Sequence, residues 1–340
     1  MSIRLQLLIP GLVWPSPAAR ELTGGLSLPA LETLLGMGQC SDSPSCSFES
    51  SLARCFDLDD TSFPVAPLRR LGERDTANVE GEWICADPVH LHFAREHMLL
   101  ADSGDLGLDS SEANALIDTL NDHFIGTEND FIRFEARSTR RWYLRLKSPL
   151  RAHFTPLNEA VSRPVDNFMP QGDDAQRWCR LINECQILLH NHPVNQARQS
   201  EGRPTINSLW FWGSGHLPKR IAAPAPVIRA QDPLTRGLAR AAGVRPEKLS
   251  GRLPAQDAFI VSTSLLRPSL YLDIDTWRSE LEQLEASWFR PALTALQKRQ
   301  LSSLHLSAPG DRVTLDLHVR PFDLYKFWRK PRSLESLLPG

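Results

Sequence analysis

The densest set of groups able to grip a small anion lies in one stretch. It runs His192-Pro193-Val194-Asn195-Gln196-Ala197-Arg198, then Ile206-Asn207-Ser208-Leu209-Trp210-Phe211-Trp212 and Gly213-Ser214-Gly215. A guanidinium such as Arg198 can hold a phosphate or carboxylate through two parallel hydrogen bonds. Asn195 and Asn207 add amides, and backbone N–H groups at a Gly-Ser-Gly turn can point at a negative charge. Asn195, Arg198, Asn207, Gly213, Ser214 and Gly215 are therefore the candidate ligand-binding residues. A tight turn is the plain alternative for the glycines, and a polar hinge is the alternative for the three side chains.

Other chemistry-bearing groups are weaker candidates. Asp87, His90 and His92 have the donor types of a metal site, but Asp87-Pro88 reads as a turn and the two histidines as a surface pair on a short strand. Asp316 and His318 alternate with Leu315, Leu317 and Val319, which places them on the solvent face of a strand. His190 and His192 flank a helix end, where imidazolium is favoured by the helix dipole, and Asp122-His123 falls inside a helix. Ser262 and Ser264 follow a strand with no base nearby in sequence, and no GxSxG occurs. The six cysteines form no CxxC: Cys40, Cys46 and Cys55 read as unconnected thiols, and Cys179 and Cys185 as small apolar groups in a helix. No catalytic residue, metal ligand or cofactor is assigned.

The positioning elements follow from periodicity. Ile3–Ile9 reads as a buried first strand ended by Pro10-Gly11, although Met1–Ala19 loosely mimics a signal peptide. Helices are expected at Leu28–Met37, at Asp109–Phe124 with Asp109 and Glu112 as a capping box, and at Asp173–Asn191 with Asp173 and Gln176 in the same roles. Further helices are expected at Asp232–Gly243 and, restarted at Pro291, over Trp277–Leu301. Strands are expected at Phe131–Glu135, Trp142–Lys147, Phe259–Thr263 and Val313–Val319, the last pairing with Leu304–Leu306 across Pro309-Gly310-Asp311. Ser41–Ser51 reads as a loop, Ile206–Trp212 as a buried central strand, and Ala222–Val227 as a linker.

With 340 residues the chain exceeds what one core usually holds. Thirty-eight basic residues against forty acidic ones give no basic stripe for nucleic acid, and composition gives no reason for membrane attraction. No apolar run approaches a spanning helix. The expectation is a cytoplasmic protein with neither nucleic acid nor membrane as partner.

The HPVNxxR…NSLWFWGSG pattern resembles the region after the inserted lobe of archaeal-type cofactor-independent phosphoglycerate mutases, of the alkaline phosphatase superfamily. Phe63-Pro-Val-Ala-Pro-Leu-Arg-Arg-Leu-Gly72 falls where those mutases carry Gly-Arg-Gly-Pro-Leu-Glu, and Gly81-Glu82-Trp83 and Trp142-Tyr143-Leu144 follow in the same order. The combination of Trp83–Leu91 (WICADPVHL), the HPVN segment, LWFWG and Phe327-Trp328-Arg329-Lys330-Pro331 resembles RpfE-type bacterial regulatory proteins. The mutase resemblance implies two divalent metals, a serine nucleophile, Asp-Gly after the first strand, and Asp and His ligands from later loops. Here the first strand ends in Pro10-Gly11, and no Asp-His pair follows Phe259–Thr263. Two-metal phosphoryl transfer needs both ions to stabilise attacking and leaving oxygens, so the resemblance implies an inherited shape without the reaction.

The expected fold is α/β: an alkaline-phosphatase-like core sheet flanked by helices, from residues 1–80 and 205–340, with an α+β lobe inserted at 81–204. The expected function is that of a pseudoenzyme, regulatory or binding, whose partner is a small phosphorylated metabolite or a protein. The alternatives are a divergent metal-dependent mutase or phosphatase, and a scaffold presenting Trp-rich surfaces.

Overall fold

The structure, a computed structural model, describes residues 3–15, 25–60, 62–73 and 79–337. Part of the leader-like segment, Met1, Ser2 and residues 16–19, lies outside them. In chain order the strands are β1 (Ile3–Leu8), β2 (Gln39–Pro44), β3 (Glu82–Ala94), β4 (His97–Asp102), β5 (Phe131–Ser138), β6 (Arg141–Leu146), β7 (Ala152–His153), β8 (Gln171–Gly172), β9 (Ser208–Gly215), β10 (Val227–Ala230), β11 (Ala258–Val261), β12 (Leu301–Ala308) and β13 (Val313–Val319). The α-helices are α1 (Pro29–Met37), α2 (Phe48–Cys55), α3 (Val65–Glu73), α4 (Ser110–Phe124), α5 (Leu157–Ala160), α6 (Ala175–His190), α7 (Pro193–Ser200), α8 (Pro233–Ala241), α9 (Leu266–Tyr271), α10 (Ile274–Leu284) and α11 (Arg290–Gln297). The chain is a mixed α/β protein with two compact units, Met1–Asp60 with Arg220–Gly340, and Thr61–Lys219.

The first unit is built on a six-stranded sheet of order β10-β11-β1-β12-β13-β2. β10, β11, β1 and β12 run parallel, β13 pairs antiparallel to β12, and β2 pairs antiparallel to β13. Alternation decides which face is covered: Leu5 and Leu7 of β1, Leu304 and Leu306 of β12, and Leu315 and Leu317 of β13 all enter one core. Leu31 and Leu34 of α1, Trp277 and Leu281 of α10, and Ala292 and Leu296 of α11 close it. The expected β12–β13 hairpin is present, with Leu306 opposite Leu317. The long helical run ends at Leu284, passes through a π-helical turn at Glu285–Phe289, and resumes with Pro291 in the first turn of α11. That turn buries Glu285, whose two oxygens accept the Ala30 and Leu31 N–H groups at 2.9 and 3.0 Å. The N-cap of α1, Leu28, makes no side-chain cap, so a carboxylate distant in sequence satisfies its orphan donors.

Ser41–Ser51, read as a loop, instead holds most of β2 and the start of α2. β2 is an outer strand whose QCSDSP residues are mostly exposed, so it carries no apolar alternation for a sequence reading to find.

The second unit has a five-stranded antiparallel sheet of β4, β3, β6, β5 and β9. Its core gathers Leu116, Leu120 and Phe124 of α4 with Leu181, Ile182 and Cys185 of α6 around fully buried Trp178. Trp178 packs on Phe131, Phe154 and Phe211 with ring centroids 5.0–5.8 Å apart. The expected capping box of α4 is formed by Asp109 and Glu112. For α6, by contrast, Asp174 is the N-cap without a side-chain cap bond, and its carboxylate accepts the Arg151 N–H instead.

Ile206–Trp212, assigned in sequence to the sheet of the first unit, is buried but belongs to the second. β9 ladders to β3 from Val89↔Ser208 to Trp83↔Gly215. Compactness follows that ladder, so the unit boundaries fall after residues 60 and 219 rather than after 80 and 204.

Candidate functional site

The polar side chains of the sequence-derived site are spent on backbone groups and one carboxylate. Asn195 is 2% exposed; its Nδ2 donates to the Leu189 and Ile206 carbonyls, and its Oδ1 accepts the Ile206 N–H at 2.8 Å. Arg198 is fully buried. It donates through Nε to Pro204 O at 2.8 Å, through Nη1 to Glu112 Oε2 at 2.7 Å, and through Nη2 to Leu106 O. Asn207 accepts the Leu91 N–H at 2.7 Å and donates to the Leu91 carbonyl at 2.8 Å. It thereby continues the β9–β3 ladder past its last backbone pair.

The glycines form no anion-binding turn. Gly213, Ser214 and Gly215 are the end of β9 itself. Gly213 has φ +61°, and a Cβ there would lie 2.6 Å from the Val65 side chain; one at Gly215 would lie 2.7 Å from Pro64. Glycine is required by the close approach of the α3 segment. The six residues thus do not converge on a ligand: Asn195 ties α7 to the entry of β9, Arg198 ties α7 to α4, and Asn207 ties β9 to β3. These bonds act as a polar clamp inside the second unit, rather than as the ligand site or the hinge between lobe and core that the sequence suggested.

Asp87, His90 and His92 do not form a metal site either. Asp87-Pro88 is not a turn but lies within β3. β6 pairs with β3 as far as Cys85 and β4 from Val89, so Asp87 and Pro88 fall between the two ladders. A proline is tolerated where no ladder donor is needed. The Asp87 carboxylate receives Arg69 through two bonds of 2.8 Å, the Trp212 Nε1–H at 2.8 Å and the Trp142 N–H at 3.2 Å. His90 and His92 stack with centroids 5.7 Å apart, and His90 Nδ1 meets the Thr205 carbonyl at 2.8 Å. Burial lowers the His90 pKa, favouring the neutral ring. Among the described residues no group of three or more His, Cys, Asp or Glu side chains is arranged to hold a metal.

Sequence reading missed the partners of Asp87. Arg69 Nε donates to Tyr143 Oη at 2.8 Å, and that hydroxyl donates to Glu73 Oε1 at 2.7 Å. Arg70 lies 3.5 Å from the Trp83 ring centroid and pairs with Glu135 at 3.0 Å. Burial is the largest single influence and works against the Arg69 charge, but the attraction and hydrogen bonding of Asp87 together with Cys85 and Tyr143 prevail, so its pKa is raised; burial also raises the Tyr143 phenol. The available signal was the Arg69-Arg70 pair inside the apolar run FPVAPL…LG, since buried charges must be paired.

The remaining place for ligand chemistry in an α/β unit is outside the carboxyl ends of its parallel strands. After β1, Pro10 and Gly11 are buried. The Gly11 carbonyl accepts the Trp277 Nε1–H at 2.8 Å, and a Cβ on Gly11 (φ +80°) would lie 2.5 Å from the Leu265 carbonyl. That corner is packed shut. After β10, Asp232 Oδ1 caps α8 by accepting the Thr235 N–H at 2.7 Å, and burial raises its pKa. After β11 come Ser262, Thr263 and Ser264, with Ser262 Oγ 3.4 Å from Ser264 Oγ. A cavity of about 300 Å³ opens there, lined among others by Gln231, Ser262, Thr263, Ser264, Glu280 and Gln283. No lysine or arginine lines it among the described residues. Such a cavity can receive a small polar molecule but has no cation for a phosphate. At the ends of β1 and β11 the donors do not fit a two-metal set: Pro10 supplies no carboxylate, and the hydroxyls after β11 are not the hard anionic donors that divalent ions take; after β10, Asp232 supplies a single carboxylate.

Fold and strand ends thus define a mixed α/β protein with a central sheet flanked by helices. Comparisons with known proteins give the relationship. Residues 89–195 match the family of 2,3-bisphosphoglycerate-independent phosphoglycerate mutase. The mutase of that name from Methanosarcina mazei is 30% identical over 242 residues, 68% of this chain and 54% of the relative. That from Methanosarcina acetivorans is 35% identical over 114 residues, 33% of this chain and 28% of the relative. The chain spans about half the length of the first and less of the second. A solved protein of Pyrococcus horikoshii has the same fold, with TM-score 0.51 at 13% identity, covering 94% of this chain and 87% of that one. The chain is therefore a relative of the archaeal-type cofactor-independent phosphoglycerate mutases.

Proposed function

We propose that this chain is a catalytically silent, RpfE-type relative of the mutases, with a regulatory role exercised by binding a ligand or protein partner. The observation that carries the reading is the end of β1. Where the resemblance calls for an aspartate on a metal, Pro10-Gly11 is buried under Leu265, Ser269 and Trp277. The Ser-Thr-Ser sequence after β11 supports it from the neighbouring strand. The competing reading, a divergent active mutase, draws on the names of the relatives.

Metal content separates the two. Protein purified without chelator, analysed by inductively coupled plasma mass spectrometry, should carry no stoichiometric manganese or zinc. Two tightly bound equivalents of either would sink the silent-enzyme reading.

A further inference from the structure

The segment after β13 presents aromatic rings to solvent from an anchored backbone. Phe322 is 76% exposed, Tyr325 58%, Phe327 90% and Trp328 67%. Both sides of the group are fastened to the first unit. Leu324 packs on the core, and Asp323 accepts the Arg320 N–H at 2.8 Å. Arg329 donates to the Met37 and Gly38 carbonyls, the Arg332 N–H bonds to Glu32 O at 2.9 Å, and Leu334 is buried. Gly36 of α1 leaves the room that the Lys330 backbone occupies. Four large rings held outward in seven residues are not the scattered exposed apolar residues of an ordinary surface.

The charge around them is one-sided. Arg320, Lys326, Arg329, Lys330 and Arg332 stand against Asp323 alone in residues 320–332, in a chain whose formal net charge is −2. Lys326 is neutralised by Asp323, whereas Arg320, Arg329, Lys330 and Arg332 are exposed. Arg299 adds a guanidinium 5.8 Å from the Phe322 ring and 5.9 Å from the Tyr325 ring. Aromatic rings ringed by basic side chains match the headgroup layer of an anionic membrane, where rings enter the apolar boundary and cations meet lipid phosphates.

We propose that this face, built on Phe322, Tyr325, Phe327 and Trp328 with their flanking arginines and Lys330, docks peripherally on an anionic lipid bilayer. A single-stranded nucleic acid fits less well. Base stacking uses ring faces free along a groove, but here Phe327 and Trp328 pack edge to face at 5.2 Å, and Arg299 lies against the other two rings.

The test is co-sedimentation of the full chain with vesicles of phosphatidylcholine alone or mixed with phosphatidylserine. Binding is expected only to the mixed vesicles, weakening in high salt. The double variant Phe327→Ser/Trp328→Ser should bind about tenfold less, a factor equivalent to roughly 1.4 kcal/mol, and Lys330→Glu should also bind less. Both variants alter exposed residues, so unchanged thermal melting shows that folding is intact. No binding to either vesicle, equal binding to both, or full binding by the double variant overturns the proposal. So does capture of oligo(dT) by the parent chain, without vesicle binding, that the same substitutions abolish.

Discussion

Arg198 shows how a residue suited to ligand binding is consumed by structure. Its Nε, Nη1 and Nη2 each meet a protein partner, Pro204 O, Glu112 and Leu106 O. Glu112 is shared further, accepting the Asp109 N–H at 3.1 Å and Arg203 at 3.0 Å. Without Arg198, Glu112 keeps Arg203, but the Pro204 and Leu106 carbonyls lose their donor, a loss of about 1 to 3 kcal/mol. Arg198→Ala is therefore expected to lower stability by about that amount in urea denaturation, without changing any response to phosphorylated metabolites. Arg198→Lys should rescue little, because an ammonium cannot reproduce the planar fork. A variant as stable as the parent would remove the clamp reading. The sequence pointed Asn195, Arg198 and Asn207 at an anionic ligand or at a hinge between lobe and core; their bonds instead run within the second unit. It could not say that the partners are backbone carbonyls and a carboxylate 86 residues away. A guanidinium built to hold a phosphate and one built to hold a carboxylate look the same in a string of letters.

At the scale of elements, legibility followed pattern strength. α4, α8 and the β12–β13 hairpin were readable because caps, apolar stripes and alternation agree locally. β2 was not, since an exposed outer strand buries nothing, and β9 was placed in the wrong sheet because a continuous apolar run says that it is buried but not by what. His192 was read as a helix-end residue favouring imidazolium; it is instead the N-cap of α7. Its Nδ1 accepts the Val194 N–H at 3.1 Å and its Nε2 meets Thr119 Oγ1 at 3.0 Å. The cap requires a neutral ring, and burial lowers the His192 pKa below its ordinary value. A depressed folded pKa means that the unfolded chain takes up the proton first. The cap's contribution, about 1 kcal/mol, is present above about pH 6.5, the ordinary imidazole value. It is lost progressively as pH falls below that value toward the folded pKa. His192→Asn, which keeps an acceptor that does not titrate there, should flatten this part of the profile in melts taken at successive pH values. An unchanged slope would show that His192 does not cap the helix as a neutral ring.

At the scale of the whole molecule, the resemblance gave the relationship and the α/β class, while the unit boundaries moved to where the β3–β9 ladder ends. No helix among the described residues is long and apolar enough to cross a membrane. Near-neutral overall composition also concealed the local basic and aromatic cluster after β13, because a sum over the chain averages out a patch. The proposed silent reading rests on the β1 corner, where Gly11 is packed against Leu265, Ser269 and Trp277. The most direct measurement is the interconversion of 2- and 3-phosphoglycerate by the purified chain, with and without added manganese. No conversion above buffer is predicted in either condition, whereas a turnover of about 1 per second, the low end for ordinary enzymes, abolished by chelator, would contradict the catalytically silent reading.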